Sequence, residues 1–161
     1  MINALKNQNI AYNAFNSDIT FYASKSYSRQ PLKNTFKIES YISGYTFQIA
    51  MFKKTERPEN GVINFQAFPE IKFTSEFLEF DYSELSEHES TVVLKGEIKV
   101  LCKKKQKTFL GSIKKIDNTV YLKANLSLDT SEFEFEKVLS CQKPLHSAKA
   151  ISVEIMLQLK A

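Results

Sequence analysis

The sequence predicts an all-β fold: an antiparallel barrel of eight strands, with at most one or two short helices. Three observations carry this. Apolar residues recur at every second position through most of the chain, and the links between these runs are short and hold turn residues. Only two short stretches begin like helices. Strands of about ten residues would span roughly 33 Å, and long, evenly alternating ones favour a closed barrel over an open sandwich.

The first run is Ile19, Phe21 and Ala23, and the second is Phe36, Ile38, Ser40 and Ile42. Ser43-Gly44 is a turn pair short enough for a hairpin into the third run, Tyr45, Phe47, Ile49 and Met51. The fourth follows Pro69 in the stretch Phe68 to Phe73 and runs Ile71, Phe73, Ser75 and Phe77. A proline can open a strand because the first position needs no ladder donor and its fixed φ suits an extended start.

The fifth run is Val92, Leu94, Gly96, Ile98 and Val100. Lysines then break the pattern from Lys103 to Gln106, and Phe109, Gly111 and Ile113 resume it up to an Asp117-Asn118 turn. Val120, Leu122, Ala124, Leu126 and Leu128 make the seventh run, and Ile151, Val153, Ile155, Leu157 and Leu159 the eighth. The helix-like stretches are Glu59–Ala67, after Pro58, and Ser131–Lys137, where Ser131 and Glu134 fit a capping box.

The 161 residues suit one domain, 1–161, with residues 1–14 a looser N-terminal extension. A hydrophobic share of 43%, with 13 Phe and 7 Tyr, is enough for a substantial core, and four Gly with four Pro argue against disorder. The net charge of +4 is spread among mixed lysines and glutamates, so no basic stripe for nucleic acid exists.

The opening residues lack the apolar run of a signal peptide, and no run approaches the ~20 residues of a membrane span. The chain as it stands reads as cytoplasmic and not integral to a membrane, or as periplasmic or secreted if a leader has been trimmed. Cys102 and Cys141 could pair only with Cα atoms within about 7 Å; two free thiols are the plainer reading.

No catalytic pattern emerges. His88 and His146 stand alone, with no serine–carboxylate partners and no metal-ligand spacing, and the four glycines form no phosphate loop. No cofactor and no metal is implied. The acidic run from Asp81 to Glu89 lacks the spacing of a calcium loop and reads as a solvated hairpin loop.

Lys103, Lys104, Lys105 and Lys107 are the sharpest charge feature. They suit either an anionic head group or a hairpin tip kept polar against edge pairing, and the hairpin tip is the plainer account. The small residues Ser75, Gly96, Gly111 and Ala124 lie on otherwise apolar faces. Within a barrel they leave room for a ligand beside Phe47, Ile49, Phe73, Ile98, Val100, Leu122, Leu126 and Ile155, or they relieve strand coiling in a packed interior. The pattern leaves both readings open.

Five segments in order resemble the YceI-like family. Asp18–Ala23 resembles its opening strand, and "FPEIKF", Phe68–Phe73, its most recognisable signature. Leu94–Phe109 looks like its G-D/E-L-x-I-x-G-V-T-K hairpin, Leu126–Phe135 like a later strand with the segment after it, and Ala150–Leu159 like the closing strand. The chain departs from the pattern at Leu101–Lys105, where only the last lysine matches H-G-V-T-K, and at Thr55–Ala67, which is shorter than the helical insertion of many relatives.

The resemblance implies a lipocalin-like barrel, usually dimeric and bacterial, often periplasmic or secreted. It also implies a ligand held inside the barrel without chemistry: a long apolar molecule such as a polyisoprenoid, an isoprenoid quinone or a fatty-acid-like lipid. If the head group of that ligand is anionic, the charge cluster makes Lys103, Lys104, Lys105 and Lys107 the residues to meet it. The competing expectation is a packed barrel without a lipid ligand that serves as an interaction or structural module, with Tyr41, Leu78, Phe80 and Tyr121 on its outer face.

Overall fold

Alternation in the first run extends further than the apolar residues alone suggest, and strand β1 spans Ala11–Lys25. The structure is a computed structural model that describes residues 11–25, 28–34, 36–54, 68–78, 85–139 and 142–161. After β1 come β2 (Ser28–Leu32), β3 (Lys37–Ser43), β4 (Thr46–Phe52) and β5 (Ile71–Leu78). Next are β6 (Ser90–Val100), β7 (Lys103–Ile116) and β8 (Thr119–Asp129). A single-turn helix α1 (Phe135–Val138) and a 3₁₀ turn (Lys143–Ser147) lead into β9 (Ala150–Lys160). The expected short helix at Glu59–Ala67 lies outside the described residues.

Every neighbouring pair is antiparallel. The strands run in the order β2-β1-β3-β4-β5-β6-β7-β8-β9, and β1 also pairs with β9. That last pairing closes an eight-stranded lipocalin-like barrel and leaves β2 as one extra strand. β1 meets β9 from Asn13 to Ser24, with a bulge at Ala14/Asn16. Its other edge is shared: Ala11–Asn13 pair with β3, and Phe21–Lys25 pair with β2. Between these two pairings, the Asn34 side-chain amide donates to the Ile19 carbonyl at 3.5 Å.

The eight expected strands are all present. The sequence missed β2, "SRQPL", because an exposed edge strand with a proline carries no apolar alternation. β1 also takes in residues 11–14 of the expected extension.

The lysine run and the Ser131 segment both fold differently from expectation. The lysines from Lys103 are not a hairpin tip: Leu101 takes a left-handed φ of 54°, the turn closes on Leu101-Cys102, and Val100 pairs with Lys103. The capping box does not form either. The Ser131 N–H and hydroxyl both donate to Asp129 Oδ1, at 2.9 and 2.8 Å, so a local turn takes up the serine. The helix then starts only at Phe135, and its N-cap residue Glu134 makes no side-chain capping bond.

Residues alternate in and out along each strand. The core therefore collects Ile42, Phe47, Leu94, Ile113, Leu122, Ile151 and Leu159, each less than 2% exposed. The lower end carries the Gly44-Tyr45 and Asp117-Asn118 turns, one residue beyond and at the expected places. The upper end carries the Leu101-Cys102 turn, Pro69 and the β8–β9 connection.

The Glu70 N–H donates to the Met51 carbonyl at 2.9 Å, and the Glu70 carbonyl accepts from Leu101 N–H at 2.8 Å. Pro69 thus stands just before the residue that ties β4, β5 and the β6–β7 turn together.

One seam is incomplete. β6 and β7 pair along eleven positions, from Ser90/Ile113 to Val100/Lys103, whereas β7 and β8 pair only from Gly111/Ala124 to Ile116/Thr119. Above that point, Lys103–Leu110 has no β8 partner, and Asn125–Asp129 pairs with β9 alone. The chain that leaves β8 bridges back to β7 there.

Candidate functional site

Small inward residues do not hollow the barrel. A Cβ on Gly96 would lie 1.9 Å from the Thr74 carbonyl oxygen and 2.5 Å from Ser75 Cα. A Cβ on Gly111 would lie 2.8 Å from the Lys123 carbonyl oxygen and 3.4 Å from Ala124 Cβ. These glycines permit close strand approach, so of the two readings left open by the sequence, packing accounts for them. Ser75, opposite Gly96, is 2% exposed, and its hydroxyl has no hydrogen-bond partner.

The cavity lies nearer the upper end. Two inner rows cross β4, β5 and β6: Met51–Ile71–Val100 and Ile49–Phe73–Ile98. From the opposite wall come Ile19 and Phe21 of β1, Leu126 and Leu128 of β8, and Val153 and Ile155 of β9, and Phe135 of α1 completes the lining. Every lining residue is apolar. The space is about 40 Å³ and partly open, where a single water requires about 10–15 Å³. A lining with no polar partner for water favours apolar groups.

Six of the eight residues expected at the lumen line this cavity: Ile49, Phe73, Ile98, Val100, Leu126 and Ile155. Phe47 and Leu122 are fully buried in the packed part of the core. Met51, Ile71, Leu128 and Val153 were not expected there, although they stand two residues from named positions on the same strands and share their inward parity; Ile19 and Phe21 on β1, where no lumen residue was named, were not expected either. Phe135 gave no such signal, because it lies in an irregular connection.

The inner rows continue onto β7. Val100 pairs with Lys103, Ile98 with Lys105, Gly96 with Lys107 and Leu94 with the buried Phe109. Cross-strand partners share a face, so Lys103, Lys105 and Lys107 stand on the inner face at the upper end. Lys104 pairs with Lys99 and faces outward.

Lys107 Nζ donates to Glu132 Oε2 at 2.6 Å and to Oε1 at 2.8 Å, with the two side chains 28% and 24% exposed. The Lys107 ammonium holds the Glu132 carboxyl below its usual range, and the Asp129 N–H, with Lys107 and Lys105 as nearby charges, adds to this. Behind Glu132, Phe133 and Phe135 are each 2% exposed and meet edge to face with ring centroids 5.5 Å apart.

Above the cavity, burial raises the Glu70 carboxyl, and Lys53 opposes the shift. Its Oε2 is buried with no hydrogen-bond partner.

Residues considered for other chemistry fall elsewhere. His88 is exposed, and its N–H donates to Ser86 Oγ at 3.2 Å. Cys102 is an exposed free thiol. Cys141, Asp81–Glu84, Phe80 and the side chains of His146, Phe77 and Leu78 lie outside the described residues. Tyr41 and Tyr121 face outward, and the Tyr41 hydroxyl donates to Gln48 Oε1 at 3.0 Å. Among the described residues no group of three or more His, Cys, Asp or Glu could hold a metal ion, and no helix is long and apolar enough to cross a membrane.

These features define a closed antiparallel β-barrel of lipocalin-like form with an apolar lumen. No family model matches the sequence, and no curated protein does. Among solved structures, the chain is similar to a polyisoprenoid-binding domain from Saccharophagus degradans implicated in plant cell wall breakdown. The TM-score is 0.65 at 12% identity, and the match covers 93% of this chain and 98% of that one. The likeness is one of fold.

Proposed function

We propose that the protein binds or carries a long apolar molecule inside the barrel and does not transform it chemically. A polyisoprenoid, an isoprenoid quinone or a fatty-acid-like chain fits this description. The observation that carries the reading is the cavity whose lining is wholly apolar, drawn from six strands and α1. Removal of apolar surface from water, at about 25 cal/mol per Å², drives uptake. The fold shared with a polyisoprenoid-binding domain supports the same reading.

The test is extraction of the purified protein with organic solvent and mass spectrometry of the extract. A stoichiometric prenyl or acyl lipid is the expected result, and Ile98→Asp abolishes its uptake. An Ile98→Asp protein that folds and retains lipid at the wild-type level sinks the lumen site. The homodimer implied by the family resemblance is tested by light scattering on the same sample.

A second reading has its own support. With only about 40 Å³ free and the row at Gly96 packed hard, the barrel also suits an interaction module. An empty extract, together with no uptake of added lipid, favours that reading.

A further inference from the structure

We propose that the ligand is an amphiphile with an oxyanion head, phosphate or carboxylate, that Lys107 receives this head, and that the Glu132 carboxylate stands in for it until the chain enters through the β7–β8 seam. The inference rests on the carrier reading above and adds to it the class of head group and the side of access.

Four observations converge on this seam. β7 and β8 stop pairing above Gly111/Ala124, so no ladder hydrogen bonds have to break between Lys103–Leu110 and Asn125–Asp129 for them to part. The closure is made by side chains: the two-pronged Lys107–Glu132 pair and, behind it, the buried Phe133 and Phe135. Glu132 is followed by Phe133 and then Phe135, which itself lines the cavity, so release of the pair frees a segment that fills part of the lumen. The inner rows Met51–Ile71–Val100 and Ile49–Phe73–Ile98 end on Lys103 and Lys105, neither of which is in an ion pair among the described residues.

An apolar chain laid along those rows ends beside cations. A carboxylate already sits on Lys107 in the geometry that a phosphate or carboxylate head would adopt, with two short charge-assisted contacts. Exchange of Glu132 for the head conserves the ion pair at Lys107 and moves Phe135 aside. It also accounts for the small volume: about 40 Å³ is the space left while the seam is closed. The competing role for these lysines is protection of an unpaired strand edge, which requires no preference among ligands.

The probes are geranylgeranyl phosphate and geranylgeraniol, which share a chain and differ in the head, each titrated below its micelle concentration. The wild-type protein is expected to bind the phosphate at least tenfold more tightly. Lys107→Gln removes that preference and, because it also releases the seam, leaves the affinity for the alcohol at or above the wild-type level. Glu132→Gln, which frees the seam and Lys107 together, tightens phosphate binding severalfold. The exchanged pair Lys107→Glu with Glu132→Lys restores the closing contact and a folded barrel but loses the preference for phosphate.

Equal affinity of the wild type for the two probes, or a phosphate preference that survives Lys107→Gln, overturns this inference and leaves the carrier reading standing. Binding of neither probe by the wild type and the Glu132→Gln protein overturns this inference, and together with an empty lipid extract it overturns the carrier reading as well.

Discussion

Lys107 and Glu132, 25 residues apart in the chain, form a two-pronged ion pair at the point where the β7–β8 ladder has run out. A side-chain contact thus does at the upper end what backbone hydrogen bonds do lower down. The Glu132 carboxyl is held below its ordinary value of 4.5 by Lys107. A depressed carboxyl contributes stability that is present above about pH 4.5 and is lost as pH falls through the lowered value. Glu132→Gln is therefore expected to lower Tm at neutral pH by about 1–4 °C, the range for a partly exposed pair in a chain of this size. The difference from wild type should shrink in acid, as pH falls through the lowered value. Paired thermal melts at neutral and acid pH check this, and a gap that persists unchanged in acid contradicts the assignment.

Glu70 titrates the other way. Burial raises its carboxyl from 4.5, so ionisation works against the fold: stability is fullest below about pH 4.5 and falls as pH rises through the raised value. Glu70→Gln keeps the shape and removes the charge. Its Tm should lie a degree or two above wild type at neutral pH, where about 2–4 °C corresponds to 1 kcal/mol. Thermal melts that place the variant below wild type show that Glu70 makes a favourable contact instead.

Gly96 faces Ser75 with no room for a Cβ, since the nearest atom would be 1.9 Å away and belongs to the backbone. Gly96→Ala has to push β5 and β6 apart. It is expected to cost about 1–3 kcal/mol or more, read as a lower urea midpoint with little change in slope. Gly111→Ala meets its nearest backbone atom at 2.8 Å and should cost less.

Leu122 and Leu126 lie on the same strand and the same face, with different neighbours. Leu122 is fully buried in the packed core, while Leu126 is partly buried and borders the cavity. Leu122→Ala should cost about 2–5 kcal/mol. Leu126→Ala should cost less, because part of its surface already lacks partner atoms, and it enlarges the lumen. Urea denaturation ranks the two, and equal losses contradict a cavity beside Leu126.

Eight strands are legible in the residues alone, because apolar residues at every second position in a half-buried strand are a local property that each run carries without knowledge of its neighbours. The same parity was enough to locate most of the lumen wall, from Ile49 to Ile155. Where the cavity lies and what closes it follow from how the strands pack against one another. The lack of room beside Gly96 depends on how closely β5 approaches β6, which no single strand records. Likewise, Lys103, Lys105 and Lys107 look like a loop until pairing with Val100, Ile98 and Gly96 sets their face. β2 and Glu132 were illegible for different reasons: an exposed edge strand carries no apolar alternation, and Glu132 finds Lys107 25 residues away, whereas α1 overlaps the expected Ser131–Lys137 stretch and only its start was misplaced.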